Sequence, residues 1–367
     1  MPTMTHPRAV TEDSGKVGEV GEVTGGVDTH KDTHTAAALD QAGRLLGHAQ
    51  FPTTVAGYAA LLAWLQAFGL LVRVGVEGTG VYGAGLARHL RAGGISVVEV
   101  DRPDRKTRRW QGKSDPVDAE AAARAALAGR ATGTPKHRDG RVEALRALRV
   151  ARRSAVAARA QAQTQIRSLI ITAPDELRAE LAPMGLRELL AYCATRRPDT
   201  TTCDQPDAAT LVALRSLSRR HRELTVEIDE LDSLLAPLTE VINPALARLN
   251  GVGPDVAGQL LVTAGENPHR LRSEAAFAML CGAAPLPASS GRTHRHRLNR
   301  GGDRHANAAL YRIVLCRMRW DPRTRAYAHR RTTEGMSKKE IIRCLKRYIA
   351  RDIYRALLTP HDTTPTG

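Results

Sequence analysis

Four carboxylates stand where a carboxylate needs a reason. Asp28 closes an apolar run in GGVDTH, Glu77 closes another in LLVRVGVEG, and Asp115 and Asp118 lie three apart in KSDPVDAEAAARAAL. A lone charge buried at a strand end costs several kcal/mol. Two such acids on neighbouring strands therefore require a shared counter-charge, and a divalent metal is the simplest. Mg²⁺ (or Mn²⁺) takes hard oxygen ligands and keeps waters that a substrate phosphate can replace. Two ions about 4 Å apart can hold the attacking and leaving oxygens of a phosphoryl transfer. Helix positions i and i+3 share a face, so Asp115 and Asp118 can reach one site. Lys113 beside them can meet phosphate or balance the acids. The pair also has a plainer reading, in which Asp115 caps the helix, Pro116 suits its first turn and Asp118 favours its dipole. The strand-end acids tip the choice towards metal.

Other polar clusters carry weaker signals. His30 and His34 are four apart, with Asp28 and Asp32 beside them. A transition-metal site is one reading; solvent-facing or phosphate-contacting rings on an inter-strand turn is the favoured one. EGTGVYG is glycine-rich without matching a Walker loop. LARLNGVGPDVAGQLL has the pattern of a helix-hairpin-helix, whose Gly251 and Gly253 turn can offer backbone N–H groups to phosphate. The same turn also serves as a tight helix connection. Residues 292–331 hold twelve Arg against two Asp. Arg292, Arg295, Arg297, Arg300 and Arg304 make the start of this run a phosphate-contacting face, because guanidinium grips phosphate bidentately. The glycines of RGGDRHAN would let backbone approach a nucleic-acid strand. Ser289 and Ser290 in PASSG precede the run. On the residues alone they are loop serines, since serine is a weak nucleophile until activated.

These groups need elements to position them. Residues 1–21 read as a disordered leader. From 22 to 132 the pattern alternates, with strands at GEVTGGVDTH, LLVRVGVEG and ISVVEV and a hairpin around QAG. Helices are expected at TVAGYAALLAWLQAF and VYGAGLARHLRAG, which predicts an α/β mixed sheet with helices packed on it. From 141 to 240 two long charged helical patterns read as the arms of an antiparallel or intermolecular coiled coil. Their connection, 173–208, carries four prolines and reads as irregular. A second, mostly helical globular segment runs from 241 to 360, and 361–367 read as a loose tail.

Composition narrows the class. The chain has 367 residues, 54 Lys and Arg against 38 acids, and a net charge of +16. That excess favours a polyanionic partner, most simply nucleic acid. The five cysteines form no CxxC pair, so neither a zinc ribbon nor a disulfide framework is indicated. No apolar run reaches eighteen residues and no signal peptide precedes the polar start, so a soluble cytoplasmic protein is expected, with no membrane partner.

GGVDTHKDTH, VGVEGTGVYG and KSDPVDAEAAARAAL resemble, in order and spacing, the blocks of DEDD-type insertion-sequence transposases of family one-ten. FAMLCGAAPLPASSGRTHRHRLNRGGDRHANAAL is similar to the C-terminal domain of the same family, and the likeness covers roughly residues 22–360. One departure is THKDTH after the first acid, where many relatives show an apolar residue and then Lys. The resemblance implies a RuvC-like, ribonuclease H-like first domain in which Asp28, Glu77, Asp115 and Asp118 are the four acids that bind Mg²⁺. It implies that Ser290, with Ser289 as fallback, attacks a DNA phosphate and forms a phosphoserine link that strand exchange resolves. It further implies a site shared between protomers, dimers joined by the coiled coil, tetramers on donor and target DNA, and guidance by a structured bridge RNA. Two alternatives are a RuvC-like nuclease that uses water and a non-catalytic nucleic-acid-binding protein.

Overall fold

The computed structural model describes residues 21–100, 114–292 and 296–359. The expected leader up to residue 20, Lys113, Arg295 and the tail 361–367 lie outside them. The chain divides into two compact units, Met1–Gly140 with Gly265–Arg272, and Arg141–Ala264 with Ser273–Gly367.

The first unit is built on β1 (Glu22–Thr29), β2 (Thr33–Leu39), β3 (Leu45–Pro52), α1 (Val55–Gln66), β4 (Leu70–Glu77), α2 (Ala84–Ala92), β5 (Ser96–Val100) and α3 (Asp115–Leu127). The sheet order is β3-β2-β1-β4-β5. The β1–β2 and β2–β3 pairs are antiparallel, and β1–β4 and β4–β5 are parallel. This mixed sheet with helices on both faces is the RuvC-like architecture expected from the sequence. The hairpin around QAG is present: Gly43 takes φ +78° and Arg44 N–H donates to Asp40 Oδ1 at 2.8 Å, a left-handed position that glycine takes at little cost.

Alternation assigns the two faces of the sheet. Val23, Val27, Val74 and Val76 join Leu61 and Leu65 of α1 and Leu86 and Leu90 of α2 in one core. Each fully buried leucine contributes about 1.5–3 kcal/mol. Gly26 and Gly75 point the other way and are in register with each other. A Cβ on Gly26 would lie 2.1 Å from the backbone nitrogen of Ala123, and one on Gly75 would lie 2.7 Å from the carbonyl oxygen of Ala122. The alanine-rich face of α3 therefore rests directly on sheet backbone.

The second unit is helical: α4 (Arg141–Ile171), α5 (Asp175–Leu181), α6 (Leu186–Thr195), α7 (Pro206–Ile242), α8 (Pro244–Ala247), α9 (Pro254–Ala264), α10 (Glu274–Leu280), the short hairpin β6 (Leu286–Pro287) and β7 (His296–Arg297), α11 (Arg304–Trp320), α12 (Pro322–Thr333) and α13 (Lys338–Leu358). The arms α4 and α7 lie against each other within one chain. Arg152 Nη2 donates to Asp232 Oδ2 at 2.9 Å, and Arg159 reaches Thr225. The rising number on α4 meets a falling number on α7, so the pair is antiparallel.

The connection 173–208 is more ordered than expected. Its prolines punctuate helices instead of preventing them. Pro174 holds the position before α5 and Pro206 opens α7, where a missing N–H costs nothing. Leu177, Leu181, Leu189 and Cys193 close a small core with Ile166 and Leu214 at the tip of the arms. Among the described residues, no helix is long and apolar enough to cross a membrane.

Candidate functional site

The first candidate site follows from the two glycines. Residues two along from Gly26 and Gly75 share their face, and these are Asp28 and Glu77. The register Val27–Val76 sets the two acids side by side at the carboxyl ends of parallel strands. Thr29 Oγ1 donates to the Glu77 carbonyl at 2.8 Å and ties the two ends together. Immediately after Glu77 the chain turns away through Gly78, at φ +68°.

The helix above runs back over these ends. Ala119 and Ala123 lie over Gly26, so the preceding turn of α3 lies over Asp28. That turn carries Asp115 and Asp118. Asp118 is buried at 4% exposure and Asp28 at 6%. Asp115 is not the helix cap: Ser114 holds the cap position, and its side chain makes no capping bond. Both acids occupy the first turn, where the helix dipole favours negative charge.

His30 completes the cluster. Its Nδ1 is 3.5 Å from Asp28 Oδ2, and its Nε2 is 3.8 Å from Asp115 Oδ1. One ligand atom from each of Asp28, His30 and Asp115 falls within 4.8 Å of the others. The donors are carboxylate oxygens and one imidazole nitrogen, half open to solvent on the Asp115 side, a set that fits a hard or borderline divalent ion.

His34 does not join them. It is fully buried on the opposite face of the sheet and stacks on Tyr58 with ring centroids 5.6 Å apart. Burial lowers its pKa, and the Thr33 backbone only partly opposes this. The favoured sequence reading of two solvent-facing rings is thus wrong for His34. The four-residue spacing crosses a hairpin, which sends the two rings to different environments. Glu99 on β5 pairs with Val76 and lies on that same opposite face, where Thr79 donates to it at 2.6 Å.

The second candidate site belongs to the helical unit. Ser289 and Ser290 are exposed in the connection between β6 and β7, followed by Gly291 at φ +56° and exposed Arg292. Beyond β7 the chain is anchored. Asn299 Nδ2 donates to the Met279 carbonyl, Asp303 N–H donates to the Leu280 carbonyl at 2.7 Å, and Asp303 caps α11 through His305 and Ala306 N–H. Gly302 permits this docking, since a Cβ there would lie 2.2 Å from the nitrogen of Gly282. The close approach that RGGDRHAN suggested is therefore made to the protein's own backbone.

Two adjoining cavities of about 770 and 510 Å³ open beside the hairpin base. Arg297 lines the first, and Arg300 and Arg304 line the second. Arg343 and Lys346 of α13 line both, and Lys339 lines the second. These three are functional candidates that the sequence reading missed. Their spacing of four and three, one helix face, was the available signal. Lys346 Nζ donates to Asn307 Oδ1 at 2.8 Å, while Asn307 Nδ2 donates to the Cys281 and Gly282 carbonyls. Burial, with Arg343 nearby, holds the Lys346 ammonium below the ordinary lysine value. Glu340 on the same wall is turned to Ser337, which leaves the groove basic.

The helix-hairpin-helix pattern lies between α8 and α9. Gly251 has φ +79° and sits against Ile313, Cys316 and Arg317 of α11. Arg317 Nε donates to the Asn250 carbonyl at 2.8 Å, and Val252 N–H is used by Leu249. Gly251 thus has a packing role, while Gly253 is exposed with open space around it. Asp255 at the start of α9 pairs with Arg149 at 2.8 Å and Arg312 at 2.6 Å.

Comparison with known proteins gives two matching family models. One, described as transposase and of the DEDD IS110 type, matches residues 25–172. The other, Transposase IS116/IS110/IS902 family, matches residues 243–329. The insertion element IS110 uncharacterized 43.6 kDa protein of Streptomyces coelicolor is 28% identical over 151 residues, covering 41% of this chain and 36% of that relative. The chain thus spans about a third of the relative's length.

Proposed function

The chain belongs to the IS110 family of transposases, and on that premise we propose that it is a DNA transposase that cuts and rejoins strands through a covalent phosphoserine. The observation that carries the reading is the convergence of Asp28 and Asp115, with His30 between them, beside Glu77 and buried Asp118. An acid cluster of this kind on strand ends under a helix has little structural use, because its like charges repel.

Asp28, Glu77, Asp115 and Asp118 hold Mg²⁺ or Mn²⁺. When bound, such ions supply electrostatic stabilisation to attacking and leaving oxygens. Ser290 Oγ attacks phosphorus, forming a serine–phosphate bond as the bridging P–O bond breaks. The displaced strand's oxygen leaves as a hydroxyl after taking up a proton. A strand hydroxyl then attacks the phosphoserine and releases the serine, so the number of phosphodiester bonds is conserved. Serine and carboxylates come from different copies of the chain, in dimers and tetramers on donor and target DNA. Arg292, Arg297, Arg300, Arg304 and the α13 cations hold phosphate backbone. Sequence is read by a guide RNA, which suits a protein rich in phosphate-binding groups and poor in aromatics.

The test is trapping of the intermediate. Wild-type protein with cognate DNA and Mg²⁺ should give a protein–DNA adduct that maps to Ser290. Ser290→Ala should give none and lose about 10⁴-fold or more in strand exchange. Asp118→Asn should lose at least about a hundredfold with its fold retained. Cleavage by Ser290→Ala at the wild-type rate would instead establish a water-using nuclease.

A further inference from the structure

We propose that His30 is a metal ligand, and that its imidazole nitrogen makes the acid site prefer Mn²⁺ to Mg²⁺. The inference rests on reading Asp28 and Asp115 as ion ligands, and adds a nitrogen donor to a set otherwise made of oxygens.

The ring is placed by backbone. β1 ends at Thr29, and His30 N–H donates to the Thr33 carbonyl at 3.1 Å, which closes the β1–β2 turn. The Thr53 N–H donates to the Asp32 carbonyl at 3.0 Å and holds the turn against the end of β3. From this fixed position the ring enters the space between the end of β1 and the first turn of α3. Each nitrogen faces a different carboxylate, at 3.5 Å and 3.8 Å.

Those separations distinguish a ligand from an ion-pair partner. A charge-assisted N–H to carboxylate bond is about 2.7–2.9 Å long, and the ring makes neither contact at that length. Donor atoms that share one octahedral ion at about 2.1 Å stand roughly 3–4 Å apart. One ligand atom from each of Asp28, His30 and Asp115 lies within 4.8 Å of the others, so a small side-chain movement brings the three to that spacing. A ligating histidine also needs its second nitrogen oriented by a neighbour, and a carboxylate stands beside each nitrogen here.

The consequence is selectivity. Mg²⁺ takes oxygen ligands and water almost exclusively, whereas first-row divalent ions accept imidazole. A site with three or four carboxylates alone would hold either ion. Adding the imidazole raises affinity for Mn²⁺ and leaves that for Mg²⁺ nearly unchanged.

The experiment measures ion binding without turnover. Full-length wild type, His30→Ala and His30→Gln are stripped with chelator, and Mn²⁺ and Mg²⁺ are titrated calorimetrically at one pH. Circular dichroism checks that each variant is folded, and the second substitution covers failure of the first. Mn²⁺ affinity should fall about 10- to 100-fold in the variants, with Mg²⁺ affinity within about threefold. Pulsed electron paramagnetic resonance of Mn²⁺-loaded wild type should show coupling to an imidazole nitrogen that the variants lack. Absent nitrogen coupling in the wild type, or an equal fall for both ions, overturns the proposal. If Asp118→Asn loses binding of both ions while His30→Ala loses neither, the carboxylate reading stands and this one fails. If wild type binds neither ion, both fail.

Discussion

Asp28 and Glu77 sit at the ends of hydrogen-bonded strands beneath a helix whose backbone touches theirs, and Asp118 is buried in the seam. Ser290 sits exposed in a connection between two strands of two residues each, and a basic groove opens at the base of that hairpin. The acid site is fixed by main chain, because charges that repel one another must be held in place before any ion arrives. Among the described residues, the serine region is anchored at its foot through Asn299, Asp303 and Asn307. On the proposed mechanism, Ser290 must reach a phosphate on a large substrate, which needs access more than enclosure. The contrast is between a cluster of carboxylates pre-formed by backbone packing and a serine left exposed; on the proposed mechanism, the half that is costly to assemble is the half built in advance.

The comparison breaks most readily at Gly26. In Gly26→Ala the new methyl meets the backbone of Ala123 and Ala119, which no rotamer change relieves. The expected loss is about 3 kcal/mol, the upper range of overpacking, with Mn²⁺ and Mg²⁺ binding lost together. Thermal unfolding and calorimetric titration check both. If ion binding survives intact, main-chain contact does not set the acid site.

A smaller effect is expected from charge in the helical unit. Burial would raise the Asp255 pKa, but Arg149 and Arg312 outweigh it and hold the carboxyl below its ordinary value of 3.8. Arg149 is itself lowered by burial, against the pull of Asp255, yet remains charged. A lowered carboxyl stabilises the fold above its unfolded pKa, and that contribution is lost as pH falls through the lower folded value. Wild type should therefore lose stability below about pH 4. Asp255→Asn should start about 2 kcal/mol less stable at neutral pH, less than for a fully enclosed pair, and show a shallower acid decline. Melting temperatures across pH 2–7, about the range where carboxyls titrate, measure this. Parallel curves for the two proteins would remove Asp255 from the account.

The smallest change concerns the groove. Lys346→Ala should weaken DNA or RNA binding severalfold, alike for all sequences, and reduce the slope of log K against log salt by about 0.9. An unchanged slope in fluorescence-anisotropy titrations would show that this ammonium meets no phosphate, and would confine the basic face to Arg292, Arg297, Arg300 and Arg304.

Much of this was legible before any coordinates. Strand ends at Asp28 and Glu77 follow from apolar runs, and a helix beginning at Asp115 follows from Pro116 and the alanines behind it. The basic face could be counted. A special role for Ser290 is implied by the resemblance alone; composition leaves it as one loop residue among others. What could not be read was direction. His30 and His34 look alike in the sequence, yet the tight turn between β1 and β2 sends one to the acids and the other beneath Tyr58. RGGDRHAN looked like a surface for nucleic acid, whereas Gly302 serves the protein's own packing. The cations of α13 lie some forty residues from those of the hairpin, and only the packing of α13 beside the hairpin base places them in one groove.

By itself the sequence determined which residues can do chemistry and which element carries each, because periodicity and breakers are local properties of the chain. Tertiary structure decided which of them meet. Gly26 and Gly75 acquire meaning only when β1 and β4 pair in register and α3 lies across both. Distance between side chains depends on packing between elements far apart in sequence, and no local pattern encodes it.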